Sequence, residues 1–135
     1  MPNYKTHLLV CTHSSGAPDK RHCGDKGGLE LRKQFDLALT KYDLRDDVTI
    51  SNVGCTSAHG VCNTAQGNII IYGPSADMGG TWYTVGPDDV EKVVTNHIMN
   101  GEKLTELEYQ DKVAYFLEIC LLAKLFSLYW LDIKI

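Results

Sequence analysis

Two hydrophobic periods alternate along this chain, and the switches between them mark out its elements. His7 to Cys11 is a short, continuous apolar run that predicts a buried strand. The stretch THSSGAPDKRHCGDKGG that follows carries the Gly, Pro, Ser and charge of a loop. From Gly28 to Tyr42 the period becomes helical, with Leu31, Phe35, Ala38, Leu39 and Tyr42 on one face. Val48–Asn52 alternates as a strand, placing Val48 and Ile50 opposite Thr49 and Ser51. Ile69–Tyr72 is a β-branched run stopped by Gly73-Pro74, and Trp82–Val85 is its expected hairpin partner. A second helix is predicted from Pro87 to about Asn100. Pro87 and the acidic Asp88 and Asp89 suit its start, Val90, Val93, Val94, His97 and Ile98 form its buried stripe, and Gly101 ends it.

The resulting order is β-α-β-β-β-α. A helical crossover makes the first two strands parallel, whereas the last two should be antiparallel. The expected fold is a two-layer α/β domain with a mixed sheet of about four strands and two main helices. Its regular part ends near Leu104, and we assign residues 1–108 to the domain and 109–135 to a C-terminal hydrophobic extension. Within that extension Val113–Leu131 spans 19 residues, of which only Glu118, Lys124 and Ser127 are polar. Apolar positions surround it on all sides, which predicts a helix buried against something else. It would be about 28 Å long, marginal for a bilayer. Glu118 and Lys124 would then lie near the hydrocarbon centre, at about 2.5–3.5 kcal/mol each. Packing against a second subunit or a partner is therefore the first expectation, and a membrane surface the second.

Composition narrows the function. With 135 residues, 44% of them hydrophobic and 22% charged, the chain fits one globular domain. Its net charge of −4 has the wrong sign for a nucleic-acid binder, and no nucleic-acid partner is expected. Five cysteines are many for this length, and their odd number leaves one over from any disulfide framework. The apolar run Leu8–Cys11 is too short for a secretory signal. The expected compartment is the cytoplasm, where thiols serve metals or redox chemistry rather than disulfides.

Four of those thiols fall in two loops. Cys11 closes the first strand, and eleven residues separate it from Cys23. Cys55 follows the next strand, and six residues separate it from Cys62. Both loops leave the same ends of adjacent parallel strands, so the thiols can meet. Four thiolates suit zinc or an iron–sulfur cluster. The tight cysteine knuckles typical of structural zinc are absent. The long first loop can wrap a larger inorganic core and offer it backbone N–H groups.

The stretch HLLVC-THSSGAPDKRH-CGDKGG resembles the first cluster loop of the thioredoxin-like [2Fe-2S] ferredoxins, the Shethna-type proteins. The similarity continues through NVGC (Asn52–Cys55), NIIIY (Asn68–Tyr72), Trp82-Tyr83, the Pro87-led helix and HIMNGEKL (His97–Leu104). The resemblance implies one [2Fe-2S] cluster on four cysteines, one-electron transfer to redox partner proteins, and a homodimer. It carries Cys11, Cys23 and Cys55 over as ligands. The family's C-x3-C spacing would put the fourth ligand at His59, but this loop is longer. Ten residues lead from Cys62 to Tyr72, close to the family's own separation, so Cys62 is taken as the ligand and a cluster of three Cys with His59 as the alternative.

Other residues have plainer readings. Cys120 is a small buried hydrophobe within an apolar helix, and His97 a packed core histidine. His7, His13 and His22 are loop or edge residues, and Trp82 and Tyr83 pack within a strand. Lys26 is either a cation near the cluster or an exposed lysine. The CGDKGG turn lacks the spacing of a phosphate loop. The reading is an electron carrier, not an enzyme. Its rivals are a structural zinc module, a dithiol oxidoreductase without the usual C-x-x-C, and an electron-carrying subunit fixed in a larger oxidoreductase.

Overall fold

A computed structural model describes residues 3–14, 22–56, 67–109 and 124. Four strands form one sheet: β1 (Thr6–Cys11), β2 (Val48–Val53), β3 (Gly67–Tyr72) and β4 (Thr81–Val85), in the order β2-β1-β3-β4. β1 therefore runs between two neighbours, which is why its sequence is apolar on both faces. It is parallel to β2, pairing Leu8 with Ile50 and Cys11 with Val53. β3 is antiparallel to β1, and β4 is antiparallel to β3. The mixed sheet expected from the crossover is thus the one formed.

Helix α1 (Gly28–Lys41) buries Leu31, Phe35, Ala38 and Leu39. These meet Leu8 and Val10 from β1, Ile69 and Ile71 from β3, and Tyr83 and Val85 from β4 in one core. Phe35 and Leu39 are fully enclosed, each worth about 1.5–3 kcal/mol of transfer free energy.

The second helical segment begins where Pro87 predicts, but its winding differs from the regular α-helix expected. A 3-10 turn over Pro87–Asp89 leads into a short α stretch, α2 (Val90–Lys92), and then a π-helix over Val93–Met99. Asp89 folds back to accept the Gly86 N–H at 2.9 Å, which starts the segment. The Thr95 hydroxyl donates to the Glu91 carbonyl at 2.8 Å. That carbonyl is the acceptor an α-helix would offer to the N–H of Thr95, so the side chain competes with the ladder where winding loosens. The inward stripe survives, since Val90, Val93, Val94 and His97 are buried.

His97 is the packed histidine expected, 1% exposed. Its Nδ1 lies 2.5 Å from the Tyr83 hydroxyl, which also accepts the Leu104 N–H at 3.0 Å. With the oxygen accepting from Leu104, its proton points to His97, and the neutral ring is the form that fits. Burial lowers the His97 pKa below its ordinary 6.5; Asp77 opposes that shift and Lys103 adds to it. An unfolded chain then takes up a proton that the folded one refuses. Stability from this residue is complete above pH 6.5 and falls as pH drops below it, by at most about 1.4 kcal/mol per pH unit. Urea midpoints measured at pH 7 and pH 5.5 should therefore show a steeper decline in the natural chain than in His97→Gln.

Most of the expected C-terminal helix, Val113–Leu131 with Cys120, lies outside the described residues. Lys124 is helical and exposed. Among the described residues no helix is long and apolar enough to cross a membrane.

Candidate metal centre

Cysteines gather at the C-terminal ends of β1 and β2. Cys11 is the last residue of β1, and Cys23 opens the short 3-10 turn Gly24–Lys26 that leads into α1. Both are 3% exposed and pack together with Tyr109, beside Val53 and Trp82. The loop between them is drawn tight at its base, where the Gly24 N–H donates to the His13 carbonyl at 2.8 Å. Just outside the cysteines the rings of His13 and His22 meet edge to face, 4.5 Å apart between centroids.

Glycine makes this approach feasible. A Cβ on Gly28 would lie 2.6 Å from the Cys11 carbonyl oxygen and 2.8 Å from that of Cys23, too close for any side chain. Gly27 sits at φ 101°, in the left-handed region that other residues avoid. The Gly-Gly pair that the sequence shows as loop composition is thus a cradle for the two cysteines. Gly28→Ala should destabilise the protein by about 1–3 kcal/mol, read as a lower urea midpoint with unchanged slope.

Electrostatics favour thiolate. The Cys11 thiol is lowered to about 5, first by the hydrogen bond from Cys23, against burial, and with further help from His13 and from the backbone and side chain of Thr56. A sulfur held as an anion beside N–H and O–H donors is what a metal–sulfur centre uses as a ligand. Thr56 is a contributor that the sequence reading missed; it follows Cys55 directly, and a hydroxyl next to a candidate ligand is the signal that could have found it.

Cys55 stands two residues beyond Val53, the β2 partner of Cys11, so it leaves the same end of the sheet. Cys11 Sγ lies 3.9 Å from the carbonyl of Gly54, immediately before it. Cys55 is exposed. The structure brings Cys11 and Cys23 into one cluster and leaves Cys55 at its rim. Among the described residues no group of three His, Cys, Asp or Glu side chains is close enough to hold a single metal ion. Cys62 and His59 lie outside the described residues, and so does the side chain of Lys26.

Tyr109 was not anticipated. It is the first residue of the expected extension, yet it packs on Cys11 and Cys23. The Leu107-Glu108-Tyr109 alternation was the available sign, because it is strand-like. Glu108 bridges to Tyr83, and the Tyr109 N–H donates to the Trp82 carbonyl at 2.9 Å.

This arrangement can be set beside known proteins. No family model matches the chain. A protein of Clostridium pasteurianum named as a 2Fe-2S ferredoxin is 36% identical over 110 residues, 80% of this chain and 99% of that protein. This chain belongs to the [2Fe-2S] ferredoxin family. Its fold is similar to that of a solved thioredoxin-like [2Fe-2S] ferredoxin from Aquifex aeolicus. The two share a TM-score of 0.60 and 28% identity over 78% of this chain and 97% of the other. A second structure from the same organism, also a thioredoxin-like [2Fe-2S] ferredoxin, gives 0.59 and 27%, covering 78% of this chain and 91% of its own. The thioredoxin-like architecture expected from the sequence is therefore the ferredoxin fold observed. In such a ferredoxin the features described above acquire a common purpose. A pair of soft sulfurs, with Cys11 biased to thiolate, packed beside apolar residues and offered backbone donors, fits an iron–sulfur cluster better than a hard metal ion.

Proposed function

We propose that this chain carries one electron at a time on a [2Fe-2S] cluster held by the thiolates of Cys11, Cys23, Cys55 and Cys62. The observation that carries the reading is the buried Cys11–Cys23 pair, with Cys11 biased to thiolate, in a member of the [2Fe-2S] ferredoxin family. The cluster supplies a reversible one-electron couple, which no side chain here provides. The protein's own part is to hold and tune it. Cys11 and Cys23 are fixed by the end of β1 and by the start of α1. The donors from His13 and Thr56 stabilise negative charge on the Cys11 sulfur, which favours the reduced state. Tyr109, Trp82 and Val53 limit access of water to the pair.

The protein acts as a carrier rather than an enzyme, exchanging electrons with redox partner proteins in the cytoplasm. Its net charge of −4 suits partners with a basic docking face. A homodimer is the assembly we favour, supported by the family resemblance. On the sheet face away from the two helices, Leu9 and Trp82 are half-buried on either side of Ile70, which is already buried within the chain, so these two are the apolar surface a subunit would cover. The hydrophobic segment 113–131 is the other element available to contact a partner subunit or a membrane surface.

Anaerobic purification followed by iron and sulfide analysis, visible absorption and EPR of the dithionite-reduced protein tests the reading. The expected outcome is a red-brown protein with two irons and two sulfides per chain and an S = 1/2 signal on reduction. A colourless protein containing zinc would overturn it.

A further inference from the structure

The residues after the second helix run back across the domain as a strap, and every turn of it is tied. Leu104 is buried in the main core, and its N–H donates to the hydroxyl of Tyr83, itself bonded to His97. Lys103 Nζ lies 2.7 Å from Asp77 Oδ2 and 2.5 Å from Glu108 Oε1, joining the β3–β4 turn to the far end of the strap. Lys92 pairs with Glu106 at 2.6 Å. Glu108 then bridges to Tyr83 on β4, and Tyr109 hydrogen-bonds to Trp82. The product of these ties is a single placement: the Tyr109 ring against Cys11 and Cys23, with only 9% of the residue left exposed.

Exposed ion pairs of this kind add little stability one by one. Their joint effect here is positional. Without the strap, the aromatic wall of the cysteine pair would lack its outer member.

We propose that Tyr109 is a positioning residue for electron transfer, a shield held by the 101–109 strap that keeps water from the Cys11 and Cys23 sulfurs and thereby sets the cluster's potential low. The inference rests on the electron-carrier reading above. Its physics is a charge argument. Reduction adds one negative charge to a centre that is already anionic, and water stabilises the more highly charged state better than an apolar ring does. Excluding water therefore disfavours reduction and also slows loss of iron to solvent.

The test uses the full-length, cluster-loaded protein and three variants, Tyr109→Ala, Tyr109→Phe and Lys103→Gln. Tyr109→Ala should keep the iron content and visible spectrum while raising the potential and bleaching severalfold faster with a chelator. Tyr109→Phe keeps the ring and should match the natural protein in both. Lys103→Gln frees the strap without touching the cysteines and should move both readouts in the direction of Tyr109→Ala, by less. If Tyr109→Ala does not load a cluster, Lys103→Gln decides. An unchanged potential and bleaching rate in the deciding variant, or a Tyr109→Phe protein that behaves like Tyr109→Ala, overturns the shield. If the natural protein holds no two-iron cluster, the carrier reading fails separately. Shielding is then judged by iodoacetamide labelling of Cys11 and Cys23, which should be severalfold faster in Tyr109→Ala and would refute the shield if unchanged.

Discussion

Alanine at Cys11, Cys23 or Cys55 is expected to abolish cluster binding, leaving protein without visible colour and with iron near background. Cys11 and Cys23 share one buried pocket whose other walls are Val53, Trp82 and Tyr109, none of which supplies a soft anionic ligand. The imidazoles of His13 and His22 meet each other edge to face just outside the pair. Among the described residues nothing in that pocket can take the place of a deleted sulfur. Cys55 sits at the rim and is exposed, so water would fill its place. The loss should also reach the fold. The first loop joins Cys11 to Cys23 through residues that are polar or glycine except for Ala17 and Pro18, and ligand bonds to a bound cluster are folding energy for such a segment. The variants should therefore unfold at lower urea than the loaded natural protein. Iron and sulfide content per chain, with the absorption spectrum, is the deciding measurement. A variant with natural content and spectrum would remove its residue from the ligand set.

Much of this arrangement was legible in the sequence for simple reasons. The strand at His7–Cys11 and the stripe Leu31, Phe35, Ala38 and Leu39 obey a single period each, and both were found where expected. The parallel pairing of β1 and β2 followed from the crossover between them. From that pairing came the meeting of the Cys11 loop with the Cys55 loop, before any side chain was placed. Legibility failed where one side chain chose between two partners. Thr95 donates its hydroxyl within the second helix, and no periodicity reports that the winding there becomes π. Tyr109 was assigned to the extension because the domain's helical pattern had ended. Its place on Cys11 and Cys23 depends on a bridge to β4 and on the reach of Lys103, which are tertiary facts. The glycines of CGDKGG lay between. Their composition announced a turn, but only the packing showed that Gly28 lies against the carbonyls of both cysteines.

The fourth ligand is the point at which sequence spacing makes the sharpest prediction. β2 ends at Val53 and β3 begins at Gly67, so the second loop must leave and rejoin the sheet at fixed places. The downstream anchor is firm, since Tyr72 at the end of β3 is paired with His7 on β1. Ten residues lead from Cys62 to that tyrosine and thirteen from His59. The shorter separation is close to the one the family resemblance implies, which would put the extra length between Cys55 and Cys62, with Gly60 available for the turn. Cys62→Ala should therefore destroy the cluster or leave it too labile to survive purification. His59→Ala should retain two irons, two sulfides and a nearly unaltered spectrum. The two assignments differ in a second observable, because a neutral imidazole in place of a thiolate removes negative charge from the centre and raises its potential. It would also make the potential vary with pH wherever that imidazole titrates. Ligation by four thiolates contributes no such imidazole step, so the pH dependence of the potential should be the same in the natural protein and in His59→Ala. A cluster that bleaches in His59→Ala and persists in Cys62→Ala would reverse the assignment.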